Sequence, residues 1–304
     1  MVDRGSVLDA WILAIRPRTL PAAAAPVVVA TAMAASRDVM APLPAFAALG
    51  AALMIQIATN LANDYFDHMK GGDTEDRVGP TRVVQAGLLP AKAVIRGALM
   101  VLALTSVVGL YLVWVGGLPI LVVGLLSLVC ALAYTGGPFP LAYRGLGDLF
   151  VFVFFGLVAV GGTYWVQARE FPADLLLVGT GMGALITGIL VVNNLRDRDT
   201  DEKAGKRTLA VRLGETGTRV EYLLLVLIAL AVPIFGLVLF DWTPWTLLAV
   251  AGARPLLAAT ATVLTFHDPR ELNAALGNTA RGVTWYAALL AVGFVLGRPD
   301  LVLL

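Results

Sequence analysis

Charge, cysteine and histidine are all scarce in this chain of 304 residues. Only 14% of its positions are charged, against about 25% in an ordinary globular domain. A formal net charge of +1 excludes bulk nucleic-acid binding through phosphate neutralisation. The single cysteine, Cys130, excludes an internal disulfide and a thiolate metal site, and reads as a small buried apolar residue. His68 and His267 have no second imidazole or thiol at ligand spacing, which argues against zinc. The low hydrophobicity that marks disorder is missing too: 59% of residues are apolar and the mean hydropathy is +0.83. These absences leave a polytopic membrane protein.

A helix crossing the hydrocarbon core needs about 20 mostly apolar residues. Such runs fall at Thr19–Ala35, Leu43–Asn63, Val94–Val115, Leu118–Tyr134, Leu146–Trp165, Leu175–Asn194, Tyr222–Phe240, Trp245–Phe266 and Gly282–Leu296. They are continuous, without the ten-residue alternation of a membrane β-barrel. The expected fold is all-α, with nine transmembrane helices around a central cavity, in one domain over residues 1–304. An odd number of spans puts eighteen of the 22 basic residues on the side of the N-terminus and three on the other, with Arg254 inside a span. The positive-inside rule then expects the N-terminus and the charged loops in the cytoplasm and the chain in the cytoplasmic (inner) membrane. An alternative for the first run is a leader cleaved near Ala35, where small residues cluster, although alanine is abundant throughout the helices.

The acidic residues gather in two loops, after the second and sixth runs. Asn60, Asp64 and Asp67 follow one another at i, i+4 and i+7; Asn194, Asp197 and Asp201 at i, i+3 and i+7. Either spacing places an amide and two carboxylates on one helix face. Carboxylates so close repel unless a cation lies among them, and hard oxygen ligands suit magnesium. Magnesium takes one or two carboxylates together with substrate phosphates, so two facing clusters would hold a diphosphate through two bridging ions. Lys70, Arg77, Arg82, Lys206 and Arg207 stand nearby to bind its outer oxygens. The repetition at equivalent ends of two spans implies two related four-helix halves plus a ninth helix. Asp199, inserted within the second pattern, leaves open which of its carboxylates meet metal.

At these residues the sequence resembles the UbiA-type intramembrane prenyltransferases, a nine-helix family with two aspartate-rich motifs. Supporting stretches are Arg16-Pro-Arg-Thr-Leu-Pro21, Asn63-Asp-Tyr-Phe-Asp67, Arg77-Val-Gly-Pro-Thr-Arg-Val-Val84, Tyr134-Thr-Gly-Gly-Pro138, Tyr143-Arg-Gly-Leu-Gly-Asp148 and Leu272-Asn273. They spread over nearly the whole chain and point to the branch whose acceptor is 1,4-dihydroxy-2-naphthoate. The resemblance implies Mg2+-dependent transfer of a chain from polyprenyl diphosphate to that acceptor, with loss of carbon dioxide and diphosphate. It implies metal at Asp64, Asp67, Asp197 and Asp201, diphosphate near Asn60, Asn63 and Asn194, and Tyr134 beside the developing allylic cation. Arg144 and Asp148 would shape the acceptor site.

Two rivals follow from the same residues: a prenyltransferase of another acceptor, such as 4-hydroxybenzoate, and a cation-coupled transporter. Transporter sites lie near the bilayer midplane, whereas these carboxylates stand at helix ends. Two features stay open at this level. Arg254, before Pro255, is either an intramembrane functional charge or the mark of a broken helix. Gly156, Gly161 and Gly162 either let helices approach closely or leave room for the isoprenoid.

Overall fold

The computed structural model describes residues 4–71, 79 and 81–298, and every regular element among them is helical. In chain order they are α1 (Arg4–Ile15), α2 (Leu20–Ser36), α3 (Pro42–Met69), α4 (Ala91–Gly116), α5 (Leu118–Ala133), α6 (Gly147–Val151), α7 (Ala159–Ala168), α8 (Asp174–Arg196), α9 (Arg198–Lys203), α10 (Leu209–Phe240), α11 (Leu248–Gly252), α12 (Arg254–Thr265) and α13 (Leu272–Leu296). A π-helical segment, Phe152–Val158, joins α6 to α7 into one unit. The end of the bundle that carries the aspartate motifs is termed inner, and the opposite end outer.

The expected nine spans are not all reached. Among the described residues seven helices have the length and apolarity to cross a membrane, and the bent pair α11–α12 makes eight. The shortfall is α5. Its 16 residues rise about 24 Å, short of the ~30 Å hydrocarbon core. The turn before it is as tight as possible: Gly117, at φ 71°, alone separates α4 from α5, a conformation that side chains disfavour.

The apolar surface is partitioned as a bilayer requires. Val107, Leu110, Trp114, Leu118 and Val238 are each about two-thirds or more exposed, on the outside of α4, α5 and α10. The core lies instead between α2, α8, α10 and α13, around Val29, Met33, Met182, Leu185 and Leu290. The two motif helices are unequal in this respect. Of the apolar stretch of α8, 72% is buried, against 22% of that of α3. Two buried tyrosines in the core are hydrogen-bonded: Tyr222 shares a hydrogen bond with Thr279 at 2.8 Å, and Tyr286 donates to the Ala229 carbonyl at 2.7 Å.

Glycine sets the closest helix contact. A Cβ on Gly156 would stand 2.4 Å from the Gly179 carbonyl oxygen, and one on Gly183 2.6 Å from that of Phe152. The π-helical turn and α8 therefore touch backbone to backbone. At the outer end, Arg37 pairs with the buried Asp174, which also accepts from Trp242 Nε1 at 2.8 Å. Arg254 is exposed at the start of α12, where a 43° bend follows α11. The broken-helix reading of that arginine therefore holds.

Candidate active site

The last two turns of α3 bring Asn60, Asp64 and Asp67 to the inner end, all buried. The chain then folds back, so that Asp64 accepts from the amides of Val83 and Val84 at 3.2 and 3.3 Å. The same loop sends Arg82 to Asp67 at 3.0 Å, a pair buried on both sides. Tyr143 Oη donates to the other Asp67 oxygen at 3.0 Å. Asn60 donates to the Ile15 carbonyl at 2.8 Å and to Thr19 Oγ1 at 3.0 Å. That fixes α3 to the break between α1 and α2, where Arg16 sits in the left-handed region at φ 55°, a strained setting for a side chain before proline. Asn63 accepts from Thr135 at 2.8 Å, and Lys70 donates to the Thr135 carbonyl at 2.6 Å.

The second motif is built differently. Helix α8 stops at Arg196, and Asp197 lies at φ −93°, ψ 5° before α9 begins. Arg196, fully buried, forks onto both Asp197 oxygens at 2.8 and 2.7 Å. Its remaining donors reach Asn193 at 2.9 Å and Asn273 at 3.1 Å. Asp201 pairs with Lys206 through one oxygen at 3.3 Å, while its buried Oδ2 has no hydrogen-bond partner. Asp199 points outward to Arg198 and is 67% exposed, which separates it from the other two carboxylates.

The two motifs meet across Tyr143. Its ring lies under Lys70 at 4.9 Å and under Lys206 at 5.7 Å, and its carbonyl accepts from the Arg207 amide at 3.1 Å. Electrostatics tell the same story. Burial opposes the charge on Lys206, but Asp67 from one motif and Asp201 and Asp197 from the other outweigh it and raise its pKa. Asp201 is pushed up to about 6, chiefly by burial, with Lys206 pulling the other way. For Tyr134, burial and then the charges of Asp148, Asp67 and Asp201 hold the hydroxyl far above its ordinary range, so it stays neutral.

Asp67, Arg82 and Lys206 stand at the mouth of one cavity of about 1430 Å³, whereas Asp64, Asp197, Asp201, Lys70 and Tyr143 lie off its lining. Its inner wall includes Asn60, Asn63, Asp67, Arg82, Asn194 and Lys206; Tyr134 and Asp148 stand just below. Asp148 is buried and its Oδ2 has no hydrogen-bond partner. Outward, the walls turn apolar, from Ile55 and Leu128 through Phe154 and Val158 to Ile120 and Val166. Along α3, Asp67 and Ala48 both line it; 19 residues of helix separate them, about 28 Å. The floor is closed by the cluster of Val27, Ala48, Ala51, Leu112, Ile120 and Val166.

Several expected site residues have other employment here. Arg144 is exposed and its guanidinium stacks on Phe139 at 4.0 Å, so it does not border the cavity. The Arg207 side chain is exposed and also lies off the lining. Arg77 lies outside the described residues. Cys130 is half-buried in the cavity wall instead of the core, and His68 and His267 are exposed. Among the described residues no three acidic or imidazole side chains converge as a ready-made metal cage. Sequence reading also missed Arg16, which borders the mouth, as well as Arg196, Tyr143 and Asn273. Its one available signal was their position inside, or next to, the stretches that carry the resemblance.

Comparison with known proteins adds an independent line. The family model described as UbiA prenyltransferase family matches residues 23–286. A 1,4-dihydroxy-2-naphthoate octaprenyltransferase from Mycobacterium tuberculosis is 39% identical over 288 residues, covering 95% of this chain and 97% of its own. One of the same name from Escherichia coli is 38% identical, over 95% and 96%. A solved UbiA homolog from Archaeoglobus fulgidus, bound to DMAPP and Mg2+, shares the fold with a TM-score of 0.60 at 13% identity, over 93% of this chain and 99% of that one.

Proposed function

The chain belongs to the UbiA prenyltransferase family, and from that premise we propose that it transfers a polyprenyl chain from its diphosphate to 1,4-dihydroxy-2-naphthoate, giving the prenylated hydroquinone, the reduced form of demethylmenaquinone. The observation that carries this reading is one continuous cavity whose mouth holds Asp67, Arg82, Lys206 and the motif asparagines and whose long interior is apolar. A diphosphate head with an isoprenoid tail has that same division. The acceptor follows from near-full-length similarity to the two naphthoate octaprenyltransferases.

Asp64, Asp67, Asp197 and Asp201 are the residues that would hold magnesium. Their environment fits a cation. Asp201 Oδ2 is buried without a hydrogen-bond partner, whereas Asp67 and Asp197 would share their oxygens between Arg82, Arg196 and an ion. The lack of a preformed cage among the described residues also agrees with an ion that completes its shell on substrate phosphates. Two bound ions supply Lewis acidity that offsets the charge of the leaving diphosphate. Arg82 and Lys206, which line the mouth, are placed to donate to its outer oxygens, and Asn60, Asn63 and Asn194 to position it.

The bond from the allylic carbon to the diphosphate oxygen breaks, and its electron pair leaves with the diphosphate. The ring carbon that bears the carboxylate attacks the allylic carbon; the carbon–carboxylate bond then breaks, releasing carbon dioxide and restoring the ring. No net proton is needed when the acceptor enters as its carboxylate. Tyr134, kept neutral, turns its ring towards the allylic cation, worth roughly 0.5–2 kcal/mol. Asp148 faces the acceptor from the cavity wall. The basic bias supports a mouth on the cytoplasmic face of the inner membrane.

Reconstituted protein given Mg2+, octaprenyl diphosphate and dihydroxynaphthoate should yield a product with the mass of the decarboxylated prenyl adduct. A product formed only from 4-hydroxybenzoate would overturn the acceptor assignment, and substrate flux without prenyl transfer would overturn the enzyme.

A further inference from the structure

The glycines around the cavity are of two kinds. Gly156 is required by packing, as described above, and Gly161 by the Phe171 ring, which a Cβ would meet at 2.6 Å. Gly109 on α4 and Gly124 on α5 have nothing within 4 Å of a built Cβ. Gly162 on α7 has only the Ile120 Cδ1 methyl, at 4.0 Å. All three line the cavity. The ambiguity in the sequence is thereby resolved residue by residue: two of the three glycines that it singled out serve contact, and Gly162 serves space.

The space in question is the deep end. Along the α6–α7 unit, Gly162 lies 14 residues from Asp148, about 21 Å. Along α5, Gly124 is ten residues from Tyr134, about 15 Å. Ile120, four residues beyond Gly124 on the same face of α5, belongs to the closed floor. Alanine would fit at each of the three positions without displacing anything and would be the better helix former. Neither packing nor helix stability therefore asks for glycine there.

We propose that Gly109, Gly124 and Gly162 set the length of prenyl chain that the enzyme accepts, by leaving the far end of the cavity open to the distal isoprene units. This rests on the reading of the cavity as a prenyl-diphosphate site and adds to it three specificity-determining residues. Side chains built inward at these points shorten the chamber while leaving the carboxylate mouth untouched. Donors with short tails are then spared and long ones rejected.

The test compares kcat/KM for a three-unit and an eight-unit prenyl diphosphate, with one acceptor, in reconstituted wild type, Gly124→Leu and Gly162→Phe. Both variants should keep near wild-type turnover of the short donor and lose about tenfold or more on the long one, the scale on which apolar pockets reject excess bulk. Gly162→Ala should change the ratio little. Gly156→Leu, a packing control, should impair both donors together. An unchanged ratio in both bulky variants, as expected of a tail that leaves sideways into lipid, would overturn the proposal. So would equal loss of both donors in both. If wild type transfers neither donor, the functional reading itself falls; if wild type transfers both and only the ratio stays fixed, this inference alone falls.

Discussion

Asp64 and Asp67 stand on an unbroken helix and are held largely by the chain that follows it, through the amides of Val83 and Val84 and the side chain of Arg82. Asp197 and Asp201 straddle a helix break and are held by cations, Arg196 and Lys206. The host helices differ in the same sense: α3 borders the cavity and the lipid, whereas α8 is core. Similar spacing thus hides two solutions to one electrostatic problem. Both pairs are buried, and each motif sets an arginine against one carboxylate; the first adds backbone amides at Asp64 and the second a lysine at Asp201, because an unpaired buried carboxylate is so costly.

The sharpest way to break this comparison is to remove the counter-charge. Arg196→Ala removes the guanidinium that both oxygens of the buried Asp197 accept from, and should destabilise the protein by roughly 3–5 kcal/mol, read as a lowered Tm in detergent. A smaller loss than for Arg82→Ala would reverse the ranking of the two motifs. Next in size, Asp67→Asn and Asp201→Asn should each reduce turnover by about 10²–10³-fold, the scale of lost electrostatic stabilisation of a leaving group, with membrane insertion intact. Full activity in either would remove that residue from the metal site.

A pH series distinguishes the motifs further. Burial raises the Asp201 carboxyl to about 6 from its model-compound value of 3.8, so the metal-free folded state holds that proton more tightly than the unfolded chain does. Its stabilising contribution is present below about pH 4 and is lost as the pH rises through about 6. In chelator, Tm should carry a component that declines over that window and disappears in Asp201→Asn. With Mg2+ present, affinity should strengthen over the same window as the ligand ionises. The smallest effect is reserved for Asp199→Asn. Exposed and facing Arg198, it should leave turnover and, within about 0.5 kcal/mol, stability unchanged.

Much of this was legible from pattern alone. Seven of the nine apolar runs coincide with helices long enough to cross a membrane, the run at Trp245–Phe266 became the bent α11–α12 pair, and the spacing of Asn60, Asp64 and Asp67 matches an unbroken helix, whereas that of Asn194, Asp197 and Asp201 runs across the break between α8 and α9. The run at Leu118–Tyr134 matches α5 to within one residue, but 16 residues of helix fall short of a span, and hydropathy alone counted the run as one. Partners were less visible. Arg196 looked like any loop cation until folding carried Asn273, 77 residues away, against it. Arg82 was assigned to substrate, but the structure turns it onto Asp67. Arg144 likewise found Phe139. Local periodicity fixes the face of a helix, whereas the partner across that face depends on tertiary contacts that periodicity does not encode.

The closed floor of Val27, Leu112, Ile120 and Val166 bears on the rest of the cell. A shaft that penetrates most of a bilayer from one side could short-circuit any ion gradient stored across it. Here it is a blind well: the apolar plug offers no ligand to replace an ion's hydration shell, and so the membrane keeps its insulation while an enzyme works within its thickness.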